Sequence, residues 1–434
     1  MFYYYSEKRC IARYAFALQE KSINGRTRAR AATIAGQPKT KSWIAERVSA
    51  FFLRLGVTAF GGPAAHIAIM EDELVRRRKW LSREKFLDLL GASSLIPGPS
   101  SSELAIHIGY LRAGWAGLLL GGVCFIFPAA ILVGTIAWAY VRFGHMPAVG
   151  ALLYGVKPVV IAVILQALWG LGRTAVKNWT LAVAGAACLL LSLAKLNVVV
   201  LLFGTGAVVA CLHALFNKSV EPQKTGCAAV FISFARGTRA ALARFFPWAS
   251  TTVAVAVVPG IWELFLVFVR IGSIVFGSGY VLLAFLRADL VVHRGWVTDA
   301  QLVDAVAIGQ VTPGPVFTTA TFLGYLLRGP AGALAATVGI FLPAFILVAI
   351  SGPLIPLIRK SATAGAFLDG VNVASLALMA AVSYQLARST IVDWLTLALA
   401  VASFVLLLRF RINSAWLVFG GAAVGIAMMV VRAH

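Results

Sequence analysis

The sequence predicts an all-α polytopic membrane protein built from two homologous halves, and three observations carry that prediction. Of its 434 residues, 60% are hydrophobic and 12% charged, with mean hydropathy +0.88, whereas a soluble domain is nearer ~25% charged. Several apolar runs reach the roughly 20 residues that a spanning helix needs. The pattern of residues 54–179 also returns at 270–394. The offset is 216 through Arg54/Arg270, Gly56/Gly272, Phe60/Phe276, Trp80/Trp296, Asp88/Asp304 and Pro97/Pro313. It becomes 215 from Gly109/Gly324 through Tyr110/Tyr325, Pro128/Pro343, Gly155/Gly370 and Trp179/Trp394. Internal repeats with broken helices at matching places mark a transporter and point to its binding site.

Residues 1–47 carry ten Lys or Arg against Glu7, Glu20 and Glu46 and read as a basic cytoplasmic tail. No cleavable signal peptide is expected, because residues 1–42 lack an apolar core run. The first membrane repeat spans 48–216. Its opening apolar segment, about 49–70, contains Arg54 and then Phe60-Gly61-Gly62-Pro63, where a break or close packing is expected. A basic loop follows, with Arg76, Arg77, Arg78, Lys79, Arg83 and Lys85.

The next apolar segment, roughly 86–110, is interrupted by Pro97-Gly98-Pro99-Ser100-Ser101-Ser102. Two prolines cannot sit inside one helix. One helix should therefore end before Pro97 and another begin near Pro99 or Ser100, each about half a bilayer long. A helix start at mid-membrane offers unpaired N–H groups and partial positive charge, and the serine hydroxyls add donors. The same device recurs at Pro313-Gly314-Pro315 with Thr318 and Thr319.

Segments at 113–140, 149–172, 179–194 and 197–216 read as ordinary spans. A basic linker at 217–247 includes a candidate interfacial helix at 231–246, and the second membrane repeat fills 248–434. About ten to thirteen membrane segments result. The loop at 71–85 carries six Lys or Arg and its counterpart at 287–301 only Arg287 and Arg294, which favours inverted repeats. The basic linker pulls the other way if each half has an odd number of spans, so charge alone leaves the orientation open.

The net charge of +22 sits in tails and loops, which reads as lipid anchoring and topology rather than nucleic-acid binding. The five cysteines form no C-x-x-C pair, and neither a disulfide framework nor a thiolate metal site is expected. His66 and His107 lack metal-ligand spacing. No P-loop is present, and no cofactor is expected. A membrane-embedded lipid-processing enzyme would need clustered Asp or His; the 16 acidic residues lie mostly in loops and the six His are scattered.

Phe60-Gly61-Gly62-Pro63, the basic loop ending in Lys79-Trp80-Leu81, Pro97-Gly98-Pro99-Ser100 and Gly109-Tyr110 return as Phe276-Gly277-Ser278-Gly279, Arg294-Gly295-Trp296, Pro313-Gly314-Pro315 and Gly324-Tyr325. This combination resembles the chromate ion transporter family in its long, two-domain form, over about residues 45–430. The resemblance implies antiparallel homologous halves in the bacterial inner membrane. It also implies export of chromate and chromate resistance, with sulfate as the related anion. Ser278-Gly279 departs from the pattern of Gly62-Pro63, so the halves need not contribute equally. Carriage of another oxyanion, or a passive channel, is the alternative reading. Partners expected are the oxyanion, the lipid bilayer and a second copy in a homodimer.

Arg54 and Arg270 lie inside apolar runs at equivalent places. The functional reading is a guanidinium fork on a tetrahedral dianion, and the plainer one is snorkelling to the interface. Lys157 reads as a second anion contact or a residue near a helix end. Glu103 follows the serines and reads as a proton-coupling or gating group, or as a charge favourable in a first helical turn. Asp88 and Asp304 read as partners of loop arginines, with a proton or gating role as the alternative. The substrate-binding set is completed by Gly61, Gly62, Pro63 and the residues of both Pro-Gly-Pro turns.

Overall fold

The structure, a computed structural model, describes residues 41–60, 62–93, 96–144, 146–194, 196–216, 259–276, 281–359, 362–410, 412 and 414–433. The expected interfacial helix at 231–246, the tail to residue 40, Gly61 and residues 277–280 lie outside them.

The first half comprises α1 (Lys41–Thr58), α2 (Gly62–Glu71) running into a π-helical turn (Asp72–Arg77), α3 (Arg83–Ser93), α4 (Ser100–Phe143), α5 (Pro147–Ala175), α6 (Trp179–Leu193) and α7 (Val198–Phe216). The second comprises α8 (Ile261–Ile274), α9 (Leu282–Leu286) with its π-helical turn (Arg287–His293), α10 (Asp299–Val311), a 3₁₀ turn (Val316–Thr318), α11 (Thr319–Arg359), α12 (Ala362–Thr390), α13 (Trp394–Phe410) and α14 (Ser414–Ala433). Among the described residues six helices are long and apolar enough to cross a membrane, and α6 and α13 are shorter apolar helices. The breaks expected at Phe60-Gly61-Gly62-Pro63 and at both Pro-Gly-Pro turns are present.

The repeat extends to individual hydrogen bonds. Trp80 N–H donates to the Leu74 carbonyl at 2.7 Å, and Trp296 N–H to Leu290 at 2.8 Å. Each half also holds a hairpin that the sequence reading cut into separate spans. A straight 44-residue helix would be about 66 Å long. Instead α4 breaks at Ala113 (φ −134°) and Gly114 (φ +62°), and α11 breaks at Arg328 (φ −142°) and Gly329 (φ +62°). The arms fold back on one another: a Cβ on Gly109 would overlap the Gly117 carbonyl, and one on Gly324 that of Gly332. Residues 100–112 and 319–327 are thus short arms reaching the surface from the centre of the molecule.

The halves interlock rather than sit side by side. Gly155 of α5 packs on Gly421 of α14, and their counterparts Gly370 of α12 and Gly206 of α7 pack likewise. Small residues allow this close approach, which drives helix association where lipid already solvates apolar side chains. Equivalent helices run in opposite directions: Gly172 of α5 faces Leu376 of α12, while Lys177, five residues later, pairs with Asp369, seven residues earlier, at 2.7 Å. The repeats are therefore inverted, which the charge count left open.

The Gly155 contact has a measurable consequence. A Cβ there would overlap the Gly421 carbonyl, whereas one on Gly150 meets nothing within 4 Å. Gly155→Val should cost at least about 1–3 kcal/mol and lower the melting temperature in detergent, with Gly150→Ala close to wild type. Equal melting temperatures would remove the contact's importance.

Candidate functional site

The two Pro-Gly-Pro turns meet the broken helices of the opposite half. α3 stops at Ser93, and Pro99 (φ −77°, ψ 98°) caps α4 without a side-chain bond. Gly98 has φ +141° and Gly314 φ +97°, conformations open to glycine and strained for other residues. Gly98 N–H donates to the Val275 carbonyl, just past the end of α8, at 2.7 Å. Reciprocally, Gly314 N–H donates to the Ala59 carbonyl, just past the end of α1, at 3.0 Å. Pro97 and Phe276 add an antiparallel bridge, the one isolated bridge among the described residues. Gly98 packs on Ala344 of α11, and Gly314 on Ala129 of α4. Each turn is therefore held by the other half at a pseudo-twofold crossing, and two short helical arms begin there.

The side chains at this crossing do not obey the symmetry. In the first half Ser101, Ser102, Glu103 and His107 are buried, and Glu103 is 0% exposed. Ser102 Oγ, both Glu103 carboxyl oxygens and His107 Nε2 have no hydrogen-bond partner among the described residues. His66 of α2 spans the two turns: Nε2 lies 3.1 Å from the Ala59 carbonyl and Nδ1 3.4 Å from Ser101 Oγ. A carbonyl only accepts, so Nε2 carries the proton and Nδ1 accepts the serine hydroxyl. In the second half Thr318 Oγ1 and Thr319 Oγ1 donate to the backbone carbonyls of Pro315 and Val316, both at 2.8 Å.

A second polar cluster lies beside the second turn. Asp304 of α10, 2% exposed, accepts from Tyr140 of α4 at 2.9 Å and pairs with Lys157 of α5 at 3.1 Å. The Tyr140 ring stands edge-on to Phe322, on the arm that carries Thr319. The cluster joins the halves and has no twin, since the repeat partner of Lys157 is Asn372.

Comparison with known proteins settles the family. The profile described as Chromate transporter matches residues 47–211 and again 262–426, one match in each half. The chain belongs to the chromate transporter family. A Chromate transport protein of Cupriavidus metallidurans is 31% identical over 408 residues, covering 93% of this chain and 98% of that protein. One of Pseudomonas aeruginosa is 34% identical over 345 residues, covering 78% and 80%. The Uncharacterized transporter YwrA of Bacillus subtilis aligns over 148 residues, which is 34% of this chain and 83% of YwrA, at 28% identity. No solved structure matches at a significant level. With that membership and six apolar spanning-length helices, this is a multi-pass protein of the bacterial inner membrane.

Several sequence expectations need relocation in this family member. Asp304 does not pair with a loop arginine: its partners, Lys157 and Tyr140, come from the other half. Asp88 is exposed on α3. Lys157 is engaged with that carboxylate rather than standing free. Arg270 lies 3.8 Å from Asp289, which also meets Arg294, itself bonded to Glu263 at 2.5 Å. Arg54 is exposed on the face of α1 that also shows Leu53 and Val57, opposite the face that packs through Phe52 and Gly56. Gly62 is buried and Pro63 half-buried in the first turn of α2. Ser100 is half-buried at the start of α4. Sequence reasoning gave no role to His66, His107 or Tyr140. All three break the repeat, since their counterparts are Leu282, Phe322 and Ile355.

Proposed function

We propose that the protein exports chromate from the cytoplasm, with the anion held between the two Pro-Gly-Pro turns. What carries this reading is the meeting of the two Pro-Gly-Pro turns, each bonded to the opposite half, in a chain whose relatives are named chromate transport proteins. Backbone N–H groups at the start of α4 and at the 3₁₀ turn, with the Ser102 hydroxyl, would replace water around a tetrahedral oxyanion. Thr318 and Thr319 support the second turn through their own backbone, and would contribute chiefly shape. Arg54, on the exposed face of α1 and without an ion-pair partner among the described residues, would draw anions in rather than clasp them. Arg270 would keep the second half's outer end assembled through Asp289.

The drive proposed is electrochemical. Expelling a dianion from a cell negative inside is favoured by about 2.3 kcal/mol per charge per 100 mV. The test is uptake of labelled chromate by everted vesicles under an imposed potential, positive inside. Saturable, potential-dependent uptake that sulfate inhibits is expected. Uptake equal to that of vesicles lacking the protein would reject chromate export. Sulfate as the preferred ion is the second reading, favoured by the site itself, whose donors recognise a tetrahedral oxyanion without choosing its central atom.

A further inference from the structure

We propose that the site binds a proton together with its anion, on the Glu103 carboxyl, so that the two cross the membrane in the same direction. This rests on reading the Pro-Gly-Pro turns as the anion site. Glu103 belongs to the first turn: a Cβ on Gly98 would run into Glu103 Oε1. The carboxyl is wholly buried and neither oxygen has a hydrogen-bond partner among the described residues. Ser102 Oγ and His107 Nε2 are buried and equally unpartnered on the same helical arm, His107 four residues on and so on the same face. Folded proteins leave few buried polar groups unpaired, and three together at one helix start mark a place that something else completes.

The surrounding charges decide what that is. On its own arm Glu103 has His107; from α2 comes His66, already bonded to Ala59 and Ser101. From α11 comes Ala344, against Gly98. Asp88 on neighbouring α3 is exposed, and the second turn offers only the self-bonded Thr318 and Thr319. Among the described residues no Lys or Arg pairs with Glu103. An ionised Glu103 would therefore repel an oxyanion at this turn with no cation to offset it. The neutral carboxyl does the reverse, since its O–H donates a charge-assisted hydrogen bond to an anion oxygen.

One proton converts the residue from a repeller into a ligand. Anion binding and proton binding then favour each other reciprocally. The proton is taken from water on the loading side, rests on a Glu103 oxygen, and returns to water on the release side as the anion leaves. The equivalent turn carries threonines instead of an acid, so the ratio is one proton per anion. A dianion would cross with one net negative charge rather than two.

The test is calorimetric titration of the detergent-purified protein with chromate, and separately with sulfate, in buffers of different ionisation heat. Between about pH 7.5 and 9 both anions are dianions, and the dependence on buffer counts protons taken up on binding. Uptake should rise toward one proton per anion with pH, and affinity should fall up to tenfold per pH unit. Glu103→Gln should still bind the anion, take up no proton and lose the pH dependence. Wild-type binding without proton uptake would overturn the proposal, as would uptake that survives in Glu103→Gln. Sulfate binding with a proton but no chromate binding would remove the chromate reading and leave the proton site standing.

Discussion

Lys157→Met should destabilise the folded protein by about 3–5 kcal/mol, and adding Asp304→Leu should recover most of that loss. The pair lies at 3.1 Å, with the Asp304 side chain 3% exposed and that of Lys157 23% exposed. Removing the cation strands a carboxylate with only the Tyr140 hydroxyl for company, whereas removing both charges leaves an apolar contact of similar volume. Because α10 belongs to one half and α4 and α5 to the other, the loss should loosen the halves from each other rather than unravel one helix. Tyr140→Phe should cost less, about 1.5–3 kcal/mol, the usual worth of one hydrogen bond to a charged group. Denaturant unfolding in detergent micelles, run as a double-mutant cycle, measures all three. If the double variant is no more stable than Lys157→Met, the carboxylate is not what the lysine neutralises.

The sequence reading placed the loop arginines against Asp304 because they were its nearest opposite charges along a half. The actual partner lies 147 residues away, in the other half. That distance explains what was legible and what was not. Recurring Gly, Pro, Trp and Arg positions made the duplication readable, since they report backbone breaks and interface anchors that both halves need. How the halves interlock leaves no such trace. It depends on which small residues face one another, as with Gly155 and Gly421.

Arg54 and Arg270 looked alike in sequence and differ in place, because the acids of the two halves are spent differently. Asp289 meets Arg270, but its counterpart Glu73 bonds Arg78 at 2.9 Å, and Arg54 is left outside. The hydroxyls of Thr318 and Thr319 were read as donors to an anion. Threonine at a helix start can equally turn back on its own chain, and here both do. The arms of 13 residues or fewer beyond each turn were foreseen from the prolines, and the segment bounds at 110 and 113 marked the first fold-back, though not the positive-φ glycine, Gly114, that makes it.

Gly98→Ala and Gly314→Ala should each lower transport at least about tenfold while the protein still reaches the membrane. Both residues hold positive φ, +141° and +97°, where an alanine is strained by about 1–3 kcal/mol. About 1.4 kcal/mol already corresponds to tenfold in an equilibrium. Both donate a backbone bond that ties their turn to the opposite half, to Val275 and to Ala59. The two should nonetheless fail differently. At Gly98 the new methyl meets the end of the Glu103 side chain, which can swing away, so the damage falls on the carboxyl and its pH dependence. At Gly314 it meets Ala129 Cβ at 2.6 Å and the Gly56 carbonyl at 3.3 Å, neither of which is a flexible tip. There α4 and the end of α1 must shift, so Gly314→Ala should also lower the melting temperature in detergent, where Gly98→Ala lowers it less. Vesicle uptake of labelled anion, normalised to protein in the membrane, together with melting curves, separates the two. Wild-type uptake in either variant would show that the crossing of the two turns tolerates displacement and does not form the anion's binding place.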